Sequence, residues 1–260
     1  MSGKLPITNE RELPKGYSRA HQQEVVSTNA TCLNLAQAGG ANGLWVTANQ
    51  QKAGRGSRGR DWVSENGNLF ASLLLTNPGE DKHLHTLTFV ASLAILDAIN
   101  SLNASSSNRV ELKWPNDVLL NGKKVSGILL ENHMLQQGRA IIVGIGINVV
   151  KFPNETLYPA ISLQDAAIET DAESTFFALA NSFAKRFEQW DAGEGFASIR
   201  ADWLKSAAGL NTPIKVSLSD KGTSKTITGM FEGLDENGML LLLDGNGINH
   251  KISVADIFFA

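Results

Sequence analysis

The chain has 260 residues, 42% hydrophobic and 19% charged, with a formal net charge of −3. That length supports a substantial core, in one large domain plus a small one. The slightly acidic balance excludes a global field for wrapping nucleic acid, so anion binding has to come from a local cluster.

The opening MSGKLPITNERELPKGY mixes charges and prolines where a secretory peptide needs an apolar run. No uninterrupted apolar stretch of membrane-spanning length is expected further on, so no membrane partner is expected. The first 26 residues are too few for an independently folded DNA-reading module before the first strong motif. In STNATCLNLAQAG the pattern predicts a helix capped by Asn29 or Thr28, with Cys32, Leu33 and Ala36 on its apolar side and Gly39-Gly40 as its stop. Cys32 is the single cysteine of the chain and has no metal-ligand spacing around it. It fits a reducing compartment, the cytoplasm.

A strand, GLWVTANQ, leads into KAGRGSRGRDW, residues 52–62, three arginines and three glycines in eleven positions. Glycines let backbone N–H groups approach a ligand, and arginine adds planar donors suited to phosphate or carboxylate. The same residues also suit a solvated basic turn. The loop lacks the Gly-Lys-Ser/Thr ending of a nucleotide-hydrolase phosphate loop. NLFASLLLT then reads as a strand covered on both faces, and HLHTLTFVASLAILDAINSL as a deeply packed helix with Leu84, Leu87, Ala91, Ala94, Ala98 and Leu102 at helical intervals. ASSSN reads as a loop.

Three strands follow, VELKW, DVLLN and KKVSGILLEN, the last two joined by a tight hairpin across Asn121-Gly122. KWPNDV is either a plain hairpin turn or a turn that aims Lys113 and Asp117 into a site. Strand alternation sends Lys123 and Lys124 to opposite faces, so one of them can point inward. AIIVGIGINVV is a further buried strand. Its GIGIN is one residue short of a dinucleotide fingerprint and enters no helix, so its glycines serve close backbone approach, to a ligand or to a neighbouring element. His83 and His85 lack further zinc ligands, and no Ser-His-Asp arrangement is evident. Residues 152–162 read as irregular, and ESTFFALANSFAKRFEQW and FASIRADWLKSAA as helices. Beyond Gly209, PIKVSL, TITGMFEGL, GMLLLLD and INHKISV read as strands of a minimal barrel. The expected division is therefore residues 1–209 and 210–260.

In this order and spacing, STN, QKAGRGSRGRDW, KWPNDV, GKKVSGILLE and GIGINV resemble the biotin protein ligase family. LYPAISLQDA and the terminal β module extend the resemblance over most of the chain. It implies an α+β fold, a mixed sheet packed with helices of the class II synthetase-like biotin/lipoate ligase type, followed by a small SH3-like β-barrel. It also implies that biotin and ATP, the latter carrying Mg²⁺ without dedicated protein ligands, give biotinyl-5′-AMP, and that biotin then passes to a lysine of a biotin carboxyl carrier protein domain. By the family pattern, Ser27, Thr28, Asn29 and Gln51 border the biotin head group. Arg55, Gly56 and Ser57 close over biotin, Gly127 and Gly144 admit it by close backbone approach, and Lys124 meets the reacting carboxylate and α-phosphate. Arg58, Arg60, Trp62, Asn116, Asp117, Gly146 and Asn148 surround the nucleotide, with Asp117 and Lys124 as the catalytic pair. Ser57 departs from the pattern, since members often carry arginine there. The short N-terminus implies ligase activity without DNA binding; monomer and homodimer are both open. Two rivals remain: a lipoate ligase, sharing the acyl-adenylate logic, and an RNA-binding module built on the Arg loop.

Overall fold

The computed structural model describes residues 12–103, 107–136, 138–153, 158–220 and 223–259. The chain opens with strand β1 (Ser18–Val25), helix α1 (Thr28–Gln37), and strands β2 (Leu44–Gln51) and β3 (Leu69–Thr76). A 3-10 segment, Asp81–Thr86, leads into α2 (Leu87–Leu102). Strands β4 (Val110–Lys113), β5 (Asp117–Leu120), β6 (Lys123–Leu135) and β7 (Gly138–Ile147) follow, then helices α3 (Ala172–Trp190) and α4 (Phe196–Lys205). Five strands end the chain: β8 (Pro213–Asp220), β9 (Thr223–Leu234), β10 (Leu240–Asp244), β11 (Asn249–Ile252) and β12 (Asp256–Phe259).

The first seven strands form one mixed sheet in the order β1-β2-β3-β7-β6-β5-β4. Only β1 and β2 run parallel, as the α1 crossover between them demands, and every other pair is antiparallel. Strand alternation divides the core. Trp45, Leu73 and Leu75 face α2 and α3 in the main apolar cluster, while Val46 and Leu74 face α1 with Cys32, Ala36, Ala140 and Ile142. The α1 side is the smaller, and it leaves the N-terminal stretch of β6 and the C-terminal stretch of β7 for the Arg-Gly loop to cover.

Several sequence expectations need correction. Strand β1 lies in a stretch taken only as polar; it is an exposed edge strand with no apolar alternation to reveal it. The N-cap of α1 is Ser27, which makes no side-chain cap bond, and not Thr28 or Asn29, whose side chains turn into a buried polar network. Asp81–Leu102 is, by length and apolar content, able to cross a membrane, but 72% of its apolar 18-residue window is buried here as a core helix. Asn121 and Gly122 take φ values of 53° and 74°, the hairpin geometry the dipeptide predicts. Residues 104–106 of the ASSSN loop, and 154–157 of the irregular loop, lie outside the described residues.

The terminal module is a five-stranded antiparallel sheet, β11-β10-β9-β8-β12, in which β12 is a strand the sequence pattern does not mark. Among the described residues its edge strands β11 and β12 are not paired with each other, so the expected barrel is open. Its buried residues, among them Ile214, Val216, Phe231, Leu242 and Ile257, belong to the main apolar cluster and form no separate core. The turn at Gly238 packs on Phe89 and Phe196, and its carbonyl accepts from Trp114 Nε1 at 3.0 Å. Trp114→Phe leaves that buried carbonyl without its donor. The expected cost is about 1–3 kcal/mol, read as a lower urea midpoint at unchanged m value.

Candidate active site

Alternation on the paired strands β6 and β7 turns Gly127, Leu129 and Glu131 to the same side as Gly144 and Gly146, with Gly127 opposite Gly146 and Leu129 opposite Gly144. The missing side chains are what open the site. A Cβ on Gly144 would lie 2.2 Å from Asn29 Oδ1, and one on Gly146 would lie 2.5 Å from the Trp62 ring. A Cβ on Gly127 would meet the same ring at 2.9 Å. The GIGIN glycines therefore serve close approach, and the groups that approach are Asn29 and the indole that ends the Arg-Gly loop.

A register shift between Val118 and Leu119 pairs Leu119 with Lys124 but Val118 with Ser126, leaving one extra residue on β6. Without it, strict alternation would place residues 124 and 127 on opposite faces. With it, Lys124 joins Gly127, and its Nζ comes within 3.4 Å of where a Gly127 Cβ would stand. Lys124 Nζ pairs with Asp117 Oδ1 at 2.5 Å and sits 5.5 Å from the Trp62 ring centroid. Lys123 is exposed, so the inward lysine is Lys124.

Two cavities meet at Lys124. The narrow one, about 40 Å³, is lined by Ser27, Thr28, Asn29, Gln51, Arg55, Gly56, Ser57, Lys124, Gly127 and Gly144, which are all ten residues expected around the acid. Trp62, Asn116, Ile128, Leu129, Ile145 and Gly146 complete its wall. That volume has room for a few water molecules. The wider cavity, about 350 Å³, is lined by Gly56, Ser57, Arg60, Trp62, Lys124, Asn148 and Tyr158, among others. Of the residues expected around the nucleotide, Arg60, Trp62, Lys124 and Asn148 line it, whereas Asn116 and Gly146 line the narrow cavity. Asp117 and Arg58 line neither. Asp117 reaches the site through Lys124, and Arg58 is turned to Asp256. The amides of Asn116 and Asn148 donate to the carbonyls of Ile128 and Ile161, which fixes the strand ends they flank.

The wall of the narrow cavity is a continuous polar chain. Ser72, fully buried, places Oγ 2.8 Å from Thr28 Oγ1 and 2.6 Å from Asn29 Oδ1. Gln51 Oε1 accepts from the Thr28 backbone N–H and hydroxyl, and its Nε2 donates to Ser64 Oγ, which donates to the Trp62 carbonyl. Asn29 Nδ2 donates to Glu131 at 2.7 Å, and Arg55 pairs with the same carboxylate at 3.0 Å. Ser72, Ser64 and Glu131 escape the sequence reading. Only Ser72 leaves a signal, as the one hydroxyl inside the otherwise apolar FASLLL.

Lys113, opposite Asp117 in the β4–β5 register, is 4% exposed, with Nζ 3.2 Å from the Tyr158 ring centroid. Burial, only partly offset by Asp117, lowers its pKa to about 8, and burial raises the Tyr158 phenol to about 12.

Residues 23–148 match the sequence profile of the biotin/lipoate A/B protein ligase family, and residues 213–260 that of the biotin protein ligase C-terminal domain. The chain is 41% identical over 240 residues to the biotin--[acetyl-CoA-carboxylase] ligase of Paracoccus denitrificans, covering 90% of this chain and 97% of the relative. It is 35% identical to the bifunctional ligase/repressor BirA of Bacillus subtilis, over 93% of this chain and 74% of that protein. The biotin protein ligase of Aquifex aeolicus, solved with biotin and ATP, superposes with a TM-score of 0.78 at 27% identity, covering 93% of this chain and 99% of that one. The chain belongs to the biotin protein ligase family.

Lys113 makes a pH-dependent contribution to stability. Below about pH 8 the folded and unfolded chains both carry its proton. Above that pH the folded form sheds the proton first, the unfolded form binds more, and stability rises until the ordinary value of 10.5 is passed. Between pH 7 and pH 10 the wild type should gain about 2–3 kcal/mol relative to Lys113→Met, measured by paired urea titrations.

Proposed function

We propose that this chain is a biotin protein ligase that joins biotin to AMP and passes it to a lysine of a biotin carboxyl carrier protein domain. One observation carries the reading: Lys124 lines both the narrow cavity and the wide one. An acid whose head group meets Ser27, Thr28, Asn29 and Gln51 would bring its carboxylate to the same ammonium as the α-phosphate of a nucleotide in the wide cavity.

In the first step a biotin carboxylate oxygen bonds to the α-phosphorus and the bond to the leaving pyrophosphate breaks, giving biotinyl-5′-AMP. Negative charge gathers on the α-phosphate, where Lys124 supplies fixed positive charge. Arg55, Gly56 and Ser57 close the acid side and Arg60 the nucleotide side, excluding water from the labile anhydride. In the second step the neutral carrier amine attacks the acyl carbon, the bond to AMP breaks, and the amine proton leaves towards Asp117. Trp62, Gly127, Gly144 and Gly146 form the floor, and Asn116 and Asn148 hold the strand ends around the adenylate.

Among the described residues no group of three His, Cys, Asp or Glu side chains could hold a metal ion. The cleft carboxylates Asp117, Glu131 and Asp256 are each paired with a cation. The site therefore fits Mg²⁺ carried on the nucleotide phosphates, the ion's common mode of binding, where it would shield their charge. An RNA-binding loop is disfavoured because Arg55, Arg58 and Arg60 are all neutralised by carboxylates. Use of ATP and the lone buried Cys32 fit a cytoplasmic enzyme.

Incubation with Mg-ATP and a panel of acids, read by mass spectrometry, should yield an acyl-adenylate with biotin; adenylation of lipoate alone would assign the rival ligase. Lys124→Ala should slow adenylate formation by about 10²- to 10³-fold, measured as pyrophosphate release. Asp117→Asn should slow single-turnover transfer from preformed adenylate to the carrier domain.

A further inference from the structure

The Arg-Gly loop is held from the far end of the chain. Asp256, the first residue of β12, divides its carboxylate between two guanidinium groups: Oδ2 accepts from Arg58 Nη1 at 2.5 Å, and Oδ1 lies 3.3 Å from Arg60 Nη2. The side chains of Asp256 and Arg58 are only 23% and 26% exposed, so solvent screens their pair weakly. Within the loop, Gly56 N–H donates to the Arg60 carbonyl, and Arg60 reaches the carbonyl and hydroxyl of Ser57. Among the described residues, hydrogen bonds and ion pairs from residues 57–60 to anything outside the loop all end on Asp256. The loop tip, Ser57–Gly59, has no buried residue. Arg58 takes a left-handed backbone, φ 60° and ψ 33°, which a side-chain-bearing residue keeps only where its surroundings fix it.

The other partner is anchored. Asp256 pairs with Ser217 across β12 and β8, between Ala255 and Ile257, both fully packed. The module carrying it is locked to the main sheet through Trp114 and Gly238, and through Tyr158 against Phe258 at 5.2 Å. A carboxylate on a fixed strand thus faces two arginines at the tip of a loop whose ends are held elsewhere, by Arg55 on Glu131 and by Trp62 on the glycine floor. Placed between the two arginines, the carboxylate also offsets their mutual repulsion.

We propose that Asp256 is a positioning residue that holds Arg58 beside Arg60, which lines the wide cavity, before a nucleotide arrives. Each guanidinium has five N–H donors. Asp256 engages one Nη of each, which leaves donors to meet phosphate. The terminal module thereby supplies the strut for the cationic lid. The assignment of the arginines to nucleotide phosphates rests on the ligase reading; the holding of the loop by Asp256 does not.

The test uses the full chain and its Asp256→Asn, Asp256→Ala, Arg58→Ala and Asp256→Ala/Arg58→Ala variants, with urea midpoints confirming that each is folded. Trypsin cleavage after Arg55 or Arg60, followed by mass spectrometry without ligand, should run about tenfold faster in Asp256→Ala, with Asp256→Asn between. The KM for ATP should rise about tenfold in Asp256→Ala, more than kcat falls and more than the KM for biotin rises. The double variant should lose less than the sum of the two single losses, as coupled partners do, with the Arg60 contact accounting for what it loses beyond Arg58→Ala. An unchanged cleavage rate, an unchanged KM for ATP, or additive losses in a folded Asp256→Ala enzyme would overturn the proposal. A wild type that forms no acyl-adenylate would defeat the ligase reading instead, and the cleavage comparison would still decide whether Asp256 holds the loop.

Discussion

The cleft depends on a strip of backbone without side chains. On β6 and β7 the site-facing positions 127, 144 and 146 are all glycine, and a single methyl at any of them would overlap the Asn29 amide or the Trp62 indole. Packing at interior density does not yield by such amounts without moving its neighbours. The strip therefore sets how deeply the N-terminus of α1 and the Arg-Gly loop can settle onto the sheet. Everything chemical follows from that depth. Asn29 reaches both Ser72 and Glu131, the Trp62 carbonyl accepts from Ser64, and Lys124 is left beside the Trp62 ring at the junction of the two cavities.

Around this strip the cations come already paired. Arg55 is held by Glu131, Lys124 by Asp117, and Arg58 and Arg60 by Asp256. Partly buried charges without partners would be costly, so an unliganded cleft built to receive a carboxylate and phosphates needs carboxylates of its own. Binding in such a site is an exchange of anions more than a new neutralisation. The geometry suits exchange, because the three carboxylates stand on fixed strands, β6, β5 and β12, while most of their partners stand on the loop.

The parts of the fold legible in the sequence are those whose burial leaves a periodic trace. FASLLL and IIVGIGI read as strands because both faces are covered, and α2 reads as a helix because its apolar positions recur at helical spacing. β1 leaves no such trace, since SRAHQQEV lies on an exposed edge and is held by backbone pairing to β2. β12 is short, and its meaning comes from β8, some forty positions earlier. The site divides in the same way. The arginines, glycines and Lys124 are clustered along the chain and announce themselves. Glu131, Ser64 and Asp256 carry ordinary side chains whose roles arise only when strand register and loop closure bring distant segments together.

The β5–β6 bulge supplies what local reading, which left Lys123 and Lys124 open, and the family resemblance, which named Lys124, both lacked: the geometry that turns Lys124 inward. Alternation alone separates Lys123 from Lys124 but gives no reason for the latter to share a face with Gly127, three positions on. The extra residue on β6 supplies that reason. It also explains how Asp117, opposite Gly127 in the register, comes to face Lys124 across the same strands. One irregular step in the ladder thus aligns the ammonium, its carboxylate and the glycine floor. A perfectly regular hairpin would carry the same residues and turn the lysine away from the cleft.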